Sequence, residues 1–370
     1  MIARRLESLL QLGVFALFLA LPLLDSGLDL DGSTTPRGSV TVTRQPERPS
    51  DLAALAGFPE TFEPYFREHF GWRKWLIHRF HQLNYLAFRV SESPSVHVGR
   101  DDWFYYGKGA ATFQRANVPF SDRERRRWFG SIRNRQEWLA SQDIEYLFAV
   151  APNKHSIYPE HLPAKLIRSG EETRWQLLSR LLGLHTEVKV VDLHAPLLAA
   201  KEHEQVYERT GSHWNQRGAY VAYRAIFDQL VERFPDLEPV EWDDVEWEDR
   251  EGAADLVSMI SAGGFVEERR QRPASGLRHL DLAFRRNGDL ITEQDDPSLP
   301  RAVIFHDSFS VALAPFLAEH FSYAVFRWRP RFDGRLVQRV GADVVIEQRV
   351  ERRLELGSIP NTLPKLSESP

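Results

Sequence analysis

Ala302-Val303-Ile304-Phe305-His306-Asp307-Ser308-Phe309-Ser310 is the stretch on which the fold turns. Its first four residues form an apolar run too short for a helix and rich in β-branched and aromatic side chains, so it reads as a buried strand. Residues 311–321 then return to helical spacing. A strand running into a helix places Ser308 at a strand's carboxyl end, where open α/β sheets carry their chemistry. A helix amino terminus just beyond it is expected to offer N–H groups to an oxyanion, although a serine there also reads as a simple helix cap.

The same alternation extends outward from this stretch. Residues 146–151, 188–191, 323–328 and 343–347 read as strands, and 123–141 and 174–184 as helices, the first with an arginine-rich outer face. Alternating strands and helices predict a mostly parallel, three-layer α/β/α sandwich. Residues 99–106 read as a hairpin turning at Asp101-Asp102, and the aromatic pattern over 58–88 as a packed helical face. The charged, glycine-containing stretch 240–300 resists assignment apart from a short helix expected at 253–260, near the site.

A second segment complements the serine. Thr210-Gly211-Ser212-His213-Trp214-Asn215 precedes a helix marked by Ala219, Tyr220, Ala222, Tyr223, Ile226, Phe227 and Leu230, so His213 projects from a loop. A histidine near its ordinary pKa accepts a hydroxyl proton and later returns it, as two-step acyl transfer requires. Asn153 and Lys154 follow the strand 146–151, and with Trp214 and Arg327 they are the candidates for binding substrate or an oxyanion. Asparagine there is equally a turn residue, and Arg327, with Trp328 and Arg329, either lines a path for an acidic sugar polymer or caps a sheet edge.

Composition narrows the classes. The net charge of -5 is spread through mixed acidic and basic residues without a basic block, which argues against a nucleic-acid partner. Cysteine is absent, which removes disulfides, thiol nucleophiles and thiolate metal sites, and the 13 histidines show no ligand spacing with a carboxylate, so no metal is expected. Arg4 and Arg5 precede an apolar run over 9–24 broken by Gln11, Gly13 and Pro22, the pattern of an uncleaved signal anchor. The expected order is an anchor over 1–30, a linker over 31–50, a globular part over 51–355 outside the cytoplasm, and a loose tail over 356–370.

The Ser-His-Trp-Asn run, the Asp-Ser-Phe-Ser run and Ala151-Pro152-Asn153-Lys154-His155-Ser156-Ile157-Tyr158-Pro159 together resemble the alginate O-acetyltransferase-like branch of the SGNH hydrolase superfamily. The resemblance runs from about Phe58 to Leu354. It implies an SGNH-hydrolase-like fold, an acetyl-serine intermediate on Ser308 with His213 as base, and a cell-surface or exopolysaccharide acceptor such as alginate. It also implies an acetyl supply from a membrane-bound O-acyltransferase, no cofactor, and a periplasmic location tethered to the inner membrane. The family's triad aspartate lies two residues before the histidine, where this chain has Gly211. Three readings follow: another carboxylate stands in, the site is a dyad, or the site is impaired and the protein binds or assembles polysaccharide. Asp192, Glu208 and Asp307 are the candidate substitutes, Asp192 foremost. A carbohydrate esterase differs only in letting water resolve the intermediate.

Overall fold

The computed structural model describes residues 9–17, 20, 24–25, 44–69, 72–107, 121–163, 166, 172–260, 262–280, 282–284, 289–328 and 331–355. The arginine flank of the expected anchor, most of the linker, the tail and Arg329 lie outside them. The chain divides into two units, Met1–Phe88 and Arg89–Pro370.

In the first unit, helices span Leu52–His69 and Arg73–Phe88. The aromatic stripe is not the packed face its periodicity predicts. Phe62 stacks on Phe58 at 5.2 Å and on Phe66 at 5.8 Å between ring centroids, because residues four apart share one helix face. Tyr85 is buried, but Trp75, Phe80, Leu83 and Phe88 stay exposed. Among the described residues no helix is long and apolar enough to cross a membrane.

The second unit opens with the expected hairpin, β1 (Val96–Val98) and β2 (Phe104–Tyr106), joined through Asp101 and Asp102 at φ 55° and 56°. Aspartate is among the few non-glycine residues that visit this region readily. There follow β3 (Glu145–Ala151), β4 (Lys189–Val191), β5 (Glu246–Gly252), β6 (Glu268–Ser275), β7 (Asp289–Glu293), β8 (Arg301–His306), β9 (Tyr323–Trp328) and β10 (Val344–Val350). The main sheet runs β4-β3-β10-β8-β9-β7. Its first five strands are parallel, and β7 adds an antiparallel edge, so the sheet is mixed. β5 and β6 form a separate antiparallel ribbon.

Side-chain alternation builds the layers. Leu147, Ala149, Ala302, Ile304, Val344 and Ile346 face one way, into a core shared with helices Gln216–Leu230 and Ser310–Leu317. Phe148, Val150, Val303, Phe305 and Val345 face the other, against helices Asp122–Ala140, Arg174–His185 and Gly334–Val340. Burial on both faces is why these strands read as continuous apolar runs. The central strand still carries two buried charges, Glu347 and Arg349, which pair with each other; Glu347 also pairs with the buried Arg135 at 2.6 Å and accepts a hydrogen bond from Tyr146 Oη at 2.8 Å. These partners hold its carboxyl below the usual range against the cost of burial.

Candidate active site

Ser308 stands at the carboxyl end of β8, one residue beyond the buried Asp307. Asp307 is fully engaged locally, its Oδ1 accepting from Phe309 N at 3.1 Å and its Oδ2 from Val350 N at 2.7 Å, which ties the turn to β10. Its hydrogen bonds go to the backbone, and it acts on the histidine through its charge alone. The helix beyond begins at Ser310, and its first N–H groups are spent nearby: Ser310 N on Asp307 O and Val311 N on Ser308 O. The expected supply of free N–H groups from that helix end is thus not free here.

His213 Nε2 lies 2.8 Å from Ser308 Oγ. The loop that presents it is anchored from several sides. Asn215 caps the following helix, accepting from Gly218 N at 2.9 Å, and Glu208 N donates to His213 O. Thr210 Oγ1 donates to Glu268 Oε1 at 2.6 Å and accepts from Ala254 N at 2.9 Å. Beneath the loop, buried Lys154 directs Nζ at the carbonyls of Phe104, Glu208, Arg209 and Gly211, all within 2.9 Å. Burial pulls its pKa down to about 7, with Glu268, Glu208 and Asp255 opposing.

Thr210's bond to Ala254 draws in the short helix Asp255–Met259, whose first residue was not among the expected site residues. Asp255 Oδ1 accepts from Ser212 N at 2.7 Å and its Oδ2 from Ser212 Oγ at 2.7 Å; that hydroxyl lies 3.2 Å from His213 Nδ1. Asp255 Oδ2 itself is 3.5 Å from His213 Nδ1. Desolvation lowers the pKa of His213; Asp255 and Asp307 oppose the shift, while Arg352 and Arg270 add to it.

The remaining expected residues separate. Trp214 lines the cleft, but its indole N–H donates to Phe309 O at 3.0 Å, so it fixes the serine turn. Lys154 is consumed under the loop. Asn153 N donates to Glu351 Oε2, its Oδ1 accepts from Arg352, and its Nδ2 is buried without a partner. Arg327 pairs with Asp289 across the β9–β7 edge and does not line the cleft. Asp192 is exposed, its Oδ1 accepting from His194 N at 2.8 Å, and the carboxylate facing His213 belongs to Asp255 instead. Glu208 does line the cleft, but it pairs with Arg270 at 2.7 Å, and burial pushes its carboxyl up to about 7.

The cleft over Ser308 has a volume of about 640 Å³ and is walled by Gln205, Asn215, Gln216, Arg270 and Gln271 among others. Among the described residues no group of His, Asp and Glu is arranged to hold a metal ion.

A parallel-centred α/β/α sandwich with a serine at a strand end and a histidine on its hydroxyl defines the class, an SGNH-like α/β protein. Residues 96–346 match the family described as SGNH hydrolase-like domain, acetyltransferase AlgX, and the chain belongs to that family. It is similar to the probable alginate O-acetylase AlgJ of Azotobacter vinelandii, 27% identical over 160 residues, 43% of this chain and 39% of that protein. Its similarity to the protein of the same description from Pseudomonas aeruginosa is 24% over 306 residues, 80% of this chain and 72% of that one. The chain thus spans well under half of the first relative's length. Bacillus cereus PatB1 shares the fold, with a TM-score of 0.53 at 16% identity over 72% of this chain and 99% of that one.

Proposed function

We propose that this protein is an exported O-acetyltransferase that places acetyl groups on hydroxyls of a cell-surface polysaccharide, alginate or a similar exopolysaccharide, through an acetyl-Ser308 intermediate. The observation that carries the reading is the 2.8 Å approach of His213 Nε2 to Ser308 Oγ in an open cleft. His213 takes the Ser308 proton as Oγ attacks the acetyl carbonyl carbon, and it returns that proton to the departing donor group. A sugar hydroxyl then gives its proton to His213, attacks the acetyl-serine and leaves as the ester, while the proton returns to Ser308. The amide and guanidinium groups of Gln205, Gln216 and Arg270 suit a polyhydroxylated acceptor. The names of the relatives support acetyl transfer over hydrolysis. A membrane-bound O-acyltransferase as acetyl source, and residence in the periplasm on the inner membrane, complete the proposal.

The test is incubation with an activated acetyl ester. One acetyl mass is expected on Ser308, none on Ser308→Ala, and slower labelling on His213→Ala; a label on another residue overturns the assignment. Polysaccharide must discharge the label faster than water does, or the protein is an esterase. Full-length protein is expected in the membrane fraction, and its recovery in the soluble cytoplasm would refute the location.

A further inference from the structure

We infer that Asp255, acting through the hydroxyl of Ser212, is the positioning acid of this site, filling the role that Gly211 cannot. The inference rests on the proposed Ser308–His213 chemistry and adds a third and a fourth residue to it.

The donors allow one consistent arrangement. Ser212 Oγ sits 2.7 Å from Asp255 Oδ2, and a carboxylate only accepts, so the hydroxyl proton points at Asp255. The oxygen's lone pairs then face His213 Nδ1 at 3.2 Å and accept its N–H. With the proton on Nδ1, Nε2 presents a lone pair to Ser308 Oγ, as a base requires. The chain of bonds therefore selects the productive tautomer. Asp255's charge, 3.5 Å from Nδ1, favours the imidazolium formed when the serine loses its proton. A second bond, from Ser212 N to Asp255 Oδ1, fixes the carboxylate's orientation.

The local packing shows the same exchange. A Cβ on Gly211 would collide with Glu208 Oε2 and stand 2.9 Å from Ala254 Cβ and 3.1 Å from Asp255 Oδ1. The absence of a side chain at 211 is what lets the helix carrying Asp255 approach the loop. An acid has been transposed from the residue two before the histidine to one 42 residues after it.

The experiment compares full-length wild type, Asp255→Asn, Ser212→Ala and Asp192→Asn by rate of Ser308 acetylation against pH and by NMR titration of His213. Asp255→Asn is expected to slow acetylation by about 10²- to 10⁴-fold, by analogy with loss of the acid in a serine protease triad. Ser212→Ala is expected to slow it at least about tenfold, and Asp192→Asn not at all. The charged groups around His213 are Asp255 and Asp307, which raise its pKa, and Arg352 and Arg270, which lower it. Removing Asp255's charge must therefore move the His213 midpoint, and the acid limb of the rate profile, to lower pH. Unchanged rates, or slower rates with an unmoved midpoint, overturn the inference. A wild type that takes no label on Ser308 refutes the proposed function, while the titration still decides whether Asp255 governs His213. If Asp255→Asn does not fold, Ser212→Ala, which removes one hydroxyl and keeps the charge, tests the inference by rate alone, and an unchanged rate overturns it.

Discussion

Gly211 and Glu208 compete for one space: a single carbon added to the glycine would run into the Glu208 carboxylate, itself held by Arg270 at 2.7 Å. The glycine that breaks the family pattern is a packing requirement of this loop. Restoring aspartate at 211 is therefore expected to lower, not raise, the acetylation rate of Ser308, since the new carboxylate must displace Glu208 and crowd Asp255. A rate at or above wild type for folded Gly211→Asp, measured by intact mass against time, would show that the space is available after all.

Lys154 is the support under the same loop, not a substrate ligand. Replacing it with methionine takes a donor from four carbonyls, of which Arg209 O keeps the N–H of Phe104; a buried carbonyl left with no donor costs about 1–3 kcal/mol, although relaxation and water will recover part. Lys154→Met is expected to lose about 2–5 kcal/mol in urea unfolding and to label more slowly. Full stability with slow labelling would instead place the ammonium in the chemistry.

His320 sets a pH dependence of stability. It is buried, its Nε2 2.8 Å from Tyr223 Oη, and that hydroxyl, which accepts the N–H of Val240, donates its own proton to a neutral imidazole. Burial lowers its pKa to about 4. The unfolded chain therefore binds the proton first, so this contribution is fully present above about pH 6.5 and is lost as pH falls toward about 4, to an extent of about 3 kcal/mol. Urea unfolding at a series of pH values checks it: His320→Phe should flatten that part of the curve, and an unchanged slope would refute the assignment.

The parallel strands and the Ser308–His213 pair were legible because short apolar runs ending at polar residues are a local signal. The acid was not. Asp255 begins a five-residue helix inside a stretch crowded with carboxylates, and only the expectation of a helix at 253–260 pointed toward it. Asp192 attracted attention because it follows a strand, but β4 is an edge strand three places from β8, and strand order is set by pairings the local sequence does not carry. Arg327 misled for a related reason: its partner Asp289 sits on β7, an antiparallel edge strand hidden in the stretch that resisted assignment.

The order of the sheet also bears on how the chain is made. β10 lies between β3 and β8, yet it is the last of the described strands to be synthesised, and its Glu347 is bonded to buried Arg135, 212 residues earlier. Until residues 344–350 arrive, the two halves of the sheet have no strand to join them and Arg135 lacks its Glu347 partner, so the other five strands of the sheet are made before its centre can close. Such long-range closure is slow and leaves apolar strand edges exposed meanwhile. For a protein proposed to cross a membrane before folding, a keystone strand that follows every other strand of its sheet keeps the emerging chain open until all of them are through.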